Sequence, residues 1–237
     1  MPMSPRLLRP QATGFNPKSL SGLLVWMDAS DSSTYTIATG VSEWRDKSGN
    51  QRSFIQGVGN NQPIISATKQ NGKSLLEFDG GNDKLTAAGN FLQIANCTMV
   101  AAYRRTSGAY GGILASSGDS DNSPGILIDT NRGAIRGYIN TSLEASGAAD
   151  AFHIVVGTVT NGATVTYTNG TQISTSVASG TLGTDQTTTS IGTYRQAALN
   201  FFAGYLGEIL AWNRVLSTTE RQTVERWLGK RWGVTVA

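Results

Sequence analysis

The sequence predicts an all-β protein of antiparallel sheets, preceded by an extended arm and finished by one C-terminal helix. Three observations carry this reading. From Leu23 onward, short runs rich in β-branched and aromatic residues recur between clusters of Gly, Asn, Asp and Ser. Several of those clusters are hairpin turns, and no helical pattern lies between the runs they join. A single segment near the C-terminus has helical spacing with signals at both ends.

The first twenty residues, MPMSPRLLRPQATGFNPKSL, hold four of the six prolines and no apolar periodicity. Proline fixes φ and lacks an N–H, so residues 1–20 are expected to form an extended arm. Arg6, Arg9 and Lys18 make this arm basic and it has no acid, which leaves 16 basic against 16 acidic residues in the rest of the chain. Leu7 and Leu8 between Arg6 and Arg9 form an apolar plug flanked by two cations, the candidate assembly contact.

The runs LLVWMDA, VSEWRDK, SLLEFDG, CTMVAAYRR, GILIDT, AIRGYIN, FHIVVGTVT, ATVTYTNG and FAGYLGEILAWN read as strands. Asn161-Gly162 and Asn169-Gly170 favour type I′ hairpin turns, and IDTNRGAI marks another hairpin. Such a series makes a sandwich or a barrel. In STTERQTVERWLGKRWG, Ser217 and Glu220 form a capping box, and Val224, Trp227, Leu228 and Trp232 recur at helical spacing. Lys230 and Arg231 suit the negative end of the helix dipole and Gly233 suits a stop, so a helix is expected near 218–231.

Composition narrows the function. At 237 residues the chain can bury a sizeable core. Its neutral body lacks the basic stripe that nucleic acid requires, and no apolar run is long enough to span a membrane. Residues 1–20 contain no apolar stretch of secretory-signal length, so synthesis in a cytoplasm is expected. Cys97 is the only cysteine, which rules out an internal disulfide or a cysteine metal cluster, and it reads as a small buried residue. His153 is the only histidine. Alternation places Phe152, Ile154 and Val156 on one face, so His153 is expected on the other, facing solvent.

The acids are scattered. Trp26-x-Asp28 and Trp44-x-Asp46 each run into a turn-forming cluster and read as strand ends closed by an aspartate. Glu77 and Asp79 share a strand face, the right spacing for paired catalytic carboxylates, but they run into Gly80-Gly81, where Asp chemistry is usually that of a turn. The loop SSGDSDNSPG gathers Asp119, Asp121 and Asn122 a few residues after Tyr110, a candidate glycan or calcium loop. No Glu closes a calcium pattern there, and no cofactor is expected. Tyr35, Tyr110, Tyr138 and Tyr194 are candidate rings for stacking sugars.

Taken together, LSGLLVWMDASD, VSEWRDKSGN, LLEFDGGNDKL and YLGEILAWNRVLSTTERQTVERWLGKRWGV resemble the laminin-G-like, concanavalin A-like jelly-roll domain over about residues 20–234. The version they resemble is that of structural proteins of tailed bacteriophages and of some bacterial surface proteins. The resemblance implies a two-sheet antiparallel jelly-roll sandwich over residues 21–237, with partners or glycans bound at its rim loops or concave sheet. It also implies a virion location, displayed on a capsid or tail, with other virion proteins, further copies of the chain and host surface glycans as partners. The alternatives are a stand-alone carbohydrate-binding module and a glycan hydrolase. The hydrolase branch of the superfamily carries Glu-x-Asp-x-x-Glu. Glu77 and Asp79 match its first two acids, but position 82 is Asn and no third Glu follows, so no enzyme activity is expected.

Overall fold

The computed structural model describes residues 14–106, 111–116, 124–129, 132–136, 145–146, 151–177, 182, 187–194 and 200–237. The assembly contact Arg6, Leu7, Leu8 and Arg9 lies outside these residues, as do Tyr110, Asp119, Asp121, Asn122 and Tyr138.

Along the chain, β1 (Leu23–Asp28), β2 (Tyr35–Ile37), β3 (Val41–Arg45) and β4 (Ser53–Ile55) precede a long hairpin of β5 (Ile64–Gln70) and β6 (Lys73–Asp79). Next come β7 (Leu85–Ala88), β8 (Asn96–Arg105), β9 (Gly111–Ser116), β10 (Gly125–Asp129), β11 (Arg132–Arg136) and β12 (Ala145–Ser146). The last strands are β13 (His153–Thr160), β14 (Ala163–Thr168), β15 (Thr171–Ser176), β16 (Thr188–Ile191) and β17 (Ala203–Trp212), followed by helix α1 (Thr218–Trp232).

The strands form two antiparallel sheets, so the sandwich is the architecture and the barrel is not. One sheet runs β15-β14-β13-β8-β17-β6-β5, with β1 pairing the second half of β17 beyond the end of β6. The other runs β12-β11-β10-β9-β16-β7-β4-β3-β2. The expected I′ turns appear at Asn161-Gly162 (φ 46° and 86°) and Asn169-Gly170 (φ 49° and 85°). A third of the same kind, Asn71-Gly72, joins β5 to β6. β10 and β11 pair with Asp129 opposite Arg132, the hairpin expected of IDTNRGAI.

The central strands of the eight-stranded sheet are buried on both faces. Cys97, Met99, Ala101 and Tyr103 of β8 face the core between the sheets. Val100 and Ala102, the alternate residues, face a second core beneath α1 with Leu210, Trp212, Val224, Leu228 and Trp232. This double burial explains the unbroken apolar run in β8. It also corrects the placement of His153. The alternation is as read, but the face opposite Ile154 and Val156 is the inter-sheet core, and His153 is only 7% exposed beside Tyr103. Cys97 is buried as expected, and burial pushes its thiol up to about 12.

The helix forms as its signals dictate. Ser217 Oγ accepts from Glu220 N at 3.3 Å, and Ser217 N donates back to Glu220 Oε2 at 2.8 Å. Gly233 closes it in the left-handed region, φ 69°. Residues 14–20 are folded as well. Asn16 Oδ1 accepts from Lys18 N and caps a 3-10 turn, Pro17–Ser19. Phe15 meets the Trp227 ring edge-on at 5.5 Å, and Leu20 packs into the second core. The segment read as arm up to residue 20 therefore contributes to the helix–sheet layer from Phe15 onward. No helix among the described residues is long and apolar enough to cross a membrane.

Candidate functional site: a carboxylate cleft at the sandwich rim

Strand β6 builds the site by simple alternation. Leu76 and Phe78 point into the inter-sheet core, which leaves Lys73, Leu75, Glu77 and Asp79 on the helix-side face. Leu75 is covered by the helix layer, whereas Glu77 and Asp79 lie beyond it and line a cleft of about 270 Å³. Thr39 and Gly40, Gly59, Asn60 and Gln62, Ile64 and Asp83 form the remaining walls.

The loops of the cleft are pinned. Gly40 N donates to Gln62 Oε1 at 2.9 Å, and Val41 N donates to Pro63 O at 2.8 Å. A Cβ at Gly40 would lie 2.7 Å from Gln62 O and 2.8 Å from Pro63 O, so only glycine allows this approach. Each acid is held by one oxygen. Glu77 Oε2 accepts from Ser66 Oγ at 2.8 Å, Asp79 Oδ1 from Gly81 N at 2.7 Å and Asn82 N at 3.2 Å, and Asp83 Oδ2 from Asp79 N at 2.9 Å. Among the described residues, the second oxygen of each has no hydrogen-bond donor.

Asp83 is 6% exposed, and burial, with Asp79 and Glu77 nearby, pushes its carboxyl up to about 6. Asp83 thus supplies a third acid one position after the Asn82 that breaks the hydrolase pattern. Its bond to Asp79 N turns it onto its own loop. Among the described residues, no group of three or more His, Cys, Asp or Glu side chains is arranged to hold a metal ion. Ile64, 50% exposed, adds an apolar side to the lining.

Of the candidate stacking rings, Tyr35 and Tyr194 are buried at 8% and 7%, Tyr35 within the inter-sheet core. Among the described residues no aromatic side chain is fully exposed.

The two Trp-x-Asp units divide in role. Asp46 closes its turn as read: Oδ1 accepts from Ser48 N and from Trp26 N, both at 2.8 Å. Asp28 does more. It is 1% exposed and pairs through Oδ2 with Arg231 at 2.7 Å and Lys47 at 2.8 Å. Arg231 also donates from Nε to Glu208 Oε2 at 2.8 Å, and Trp232 Nε1 donates to the same oxygen at 2.9 Å. Trp26 Nε1 donates to Glu208 Oε1 at 2.7 Å.

This latch fastens the last turn of α1 to β1 and β17, and sequence spacing gives no sign of it. Burial and the charge of Asp28 push Glu208 up to about 7 against the pull of Arg231 and both indoles. Burial also acts on Asp28, but Lys47, Arg231 and Ser30 outweigh it and hold that carboxyl below its usual range.

A two-sheet antiparallel sandwich with pinned rim loops around a polar cleft defines a lectin-type jelly roll. The chain belongs to the concanavalin A-like lectin/glucanases superfamily, whose family model matches residues 79–220. Similar solved structures include Trypanosoma rangeli sialidase in complex with sialic acid, at 16% identity and TM-score 0.61, covering 91% of this chain and 34% of that one. The binding domain of botulinum neurotoxin serotype D aligns at 13% identity and TM-score 0.64, covering 90% of this chain and 55% of that one. A botulinum neurotoxin type C structure, from a protein whose cell entry depends on two ganglioside molecules, aligns at 13% identity and TM-score 0.63, covering 87% and 51%. The chain thus spans about a third of the sialidase and about half of each toxin chain, and the likeness is one of fold. No curated protein matches the sequence.

Proposed function

We propose that this chain is a bacteriophage virion structural protein that displays a lectin-like sandwich and contacts host-surface glycans through the rim cleft without cleaving them. The observation that carries the glycan reading is the commitment of Glu77, Asp79 and Asp83. One oxygen of each is fixed by the protein, the other accepts no bond among the described residues, and all three acids line a cleft of about 270 Å³, which suits a hydroxyl-accepting site. A hydrolase would need two carboxylates free to exchange protons across a glycosidic bond. Here Asp83 accepts from Asp79 N and Asp79 accepts from Gly81 N and Asn82 N, and no third Glu follows Asn82.

Among the described residues the cleft lining has no cation, so it repels acidic sugars and favours neutral or amino sugars. The virion part is supported by the four phage-like sequence segments, the neutral body and the concentration of Arg6 and Arg9 in an arm that precedes the folded unit. Because Phe15 to Leu20 pack on the sandwich, the attaching segment is residues 1–13.

The glycan reading is tested on an array of bacterial surface polysaccharides. Binding to neutral or amino-sugar glycans that drops at least tenfold in Glu77→Gln/Asp79→Asn, with no reducing sugar released, is the expected result. Unchanged binding in the variant, or turnover lost on Glu77→Gln, overturns it. For the virion role, deleting residues 2–13 should abolish incorporation into particles, and incorporation at normal occupancy would move attachment to the sandwich.

A further inference from the structure

The row of side chains that runs through Glu77 continues across the sheet beyond the cleft. Tyr205 of β17 is the register partner of both Glu77 on β6 and Arg104 on β8, so the three stand in line on one face. At about 4.8 Å per strand, the Cα atoms of Glu77 and Arg104 are about 10 Å apart. The helix layer ends close by. Trp232, the last residue of α1, stacks on Phe152 at 5.5 Å over Gly207, and Tyr205 packs against that layer. Glu77, Tyr205 and Arg104 each keep part of their surface open.

The cation of this row is held in place and left unpaired. Arg104 lays its guanidinium over the Tyr205 ring, 4.4 Å from the centroid, and among the described residues it pairs with no carboxylate. Its Nε is buried without a hydrogen-bond partner, so only the outer nitrogens can reach a ligand. A guanidinium already fixed on a ring loses little freedom when it binds, and its planar fork matches a carboxylate. On the far side of the ring, one oxygen each of Glu77 and Asp79 accepts no bond among the described residues. Elsewhere Arg45, Lys47, Arg214, Arg221 and Arg231 are each paired with an acid. Here the tyrosine keeps opposite charges apart, and both sides are free to pair with something else.

We propose that Arg104, positioned by Tyr205, is an anion subsite of the glycan cleft, and that the ligand joins an amino sugar to a carboxylate-bearing sugar. The ammonium group of the first sits among Glu77, Asp79 and Asp83. The carboxylate of the second takes the outer edge of the Arg104 fork. This inference rests on the reading of the cleft as a glycan site and narrows its ligand. A glycan of one charge meets like charge at one end of the row, whereas a chain carrying both signs matches the two ends and is fixed in direction.

The test is titration calorimetry of the full chain with tetrasaccharides of three polymers, at mildly acid pH and low salt, where amines and uronic acids are both charged. Chitosan carries amines alone, hyaluronan carries acids with its amines acetylated, and N-deacetylated hyaluronan alternates the two. The alternating ligand should bind at least tenfold more tightly than chitosan, and hyaluronan should bind most weakly. In Arg104→Gln the ratio of the alternating ligand to chitosan should fall to near one. Tyr205→Leu should lower the same ratio, because the guanidinium loses its support. Glu77→Gln/Asp79→Asn should weaken both amine-bearing ligands at least tenfold. A ratio near one in the native chain, or one that Arg104→Gln leaves unchanged, overturns the anion subsite. If chitosan binding still depends on Glu77 and Asp79 in that case, the glycan reading of the cleft stands without it. Failure of all three ligands to bind overturns both.

Discussion

Replacing Arg231 by Met tests what holds α1 to the sandwich. The guanidinium is the shared partner of two carboxylates, Asp28 and Glu208, that are 1% and 0% exposed. Asp28 keeps Lys47 and Ser30, whereas Glu208 keeps only the two indole N–H groups. Breaking a buried pair on one side costs about 3–5 kcal/mol, because the other charge stays buried. Glu208 can escape part of that cost by taking a proton, since its carboxyl already stands at about 7 with Arg231 present.

Without the cation its folded pKa rises further while the unfolded value stays near 4.5. A folded pKa above the unfolded one means that stability is lost as pH rises between the two. The variant should therefore lose about 3 kcal/mol at pH 6 and about 5 kcal/mol at pH 8. For a chain of this size that is about 6–12 °C and about 10–20 °C of melting temperature. Calorimetry at the two pH values reads both numbers. Arg231→Met/Glu208→Met should recover part of the loss and all of its pH dependence, because an apolar pair leaves no unpartnered charge. A deficit under about 1 kcal/mol, or one larger at pH 6 than at pH 8, would refute the reasoning.

Three further outcomes follow from the same geometry. In the native chain the raised Glu208 makes stability decline between about pH 5 and 7 by up to about 1 kcal/mol per pH unit, and Glu208→Gln should flatten that decline in urea titrations across the window. At Gly207 an added Cβ would stand 2.9 Å from the rings of Phe152 and Trp232, so Gly207→Val should displace the helix, cost about 2–3 kcal/mol and alter the near-ultraviolet circular dichroism of the tryptophans. Ser217→Ala removes the helix cap and should cost about 1 kcal/mol in thermal unfolding, with no change in that spectrum.

The sequence by itself determined whatever depends on near neighbours. Asn-Gly pairs set the hairpins because few other residues accept positive φ at both turn positions. Ser217, Glu220 and Gly233 bounded the helix because caps satisfy its orphan groups locally. Asp46 and Asp79 closed turns because a short carboxylate reaches backbone N–H groups two residues on.

Tertiary structure decided what depends on which layer covers a face. Alternation put His153 opposite Ile154, but only the second sheet made that side an interior. Phe15 and Leu20 lie in a proline-rich stretch with no period of its own, and they became part of the core because α1 offers Trp227 to pack against. Asp28 meets Arg231 across 203 positions, and Glu208 joins them from a third element. The cleft likewise draws Thr39, Gln62, Glu77 and Asp83 from separate loops and strands of both sheets. Periodicity reports the direction of a side chain along its own element, and a partner that distant in sequence is brought in by sheet pairing and layer packing, which no local pattern encodes.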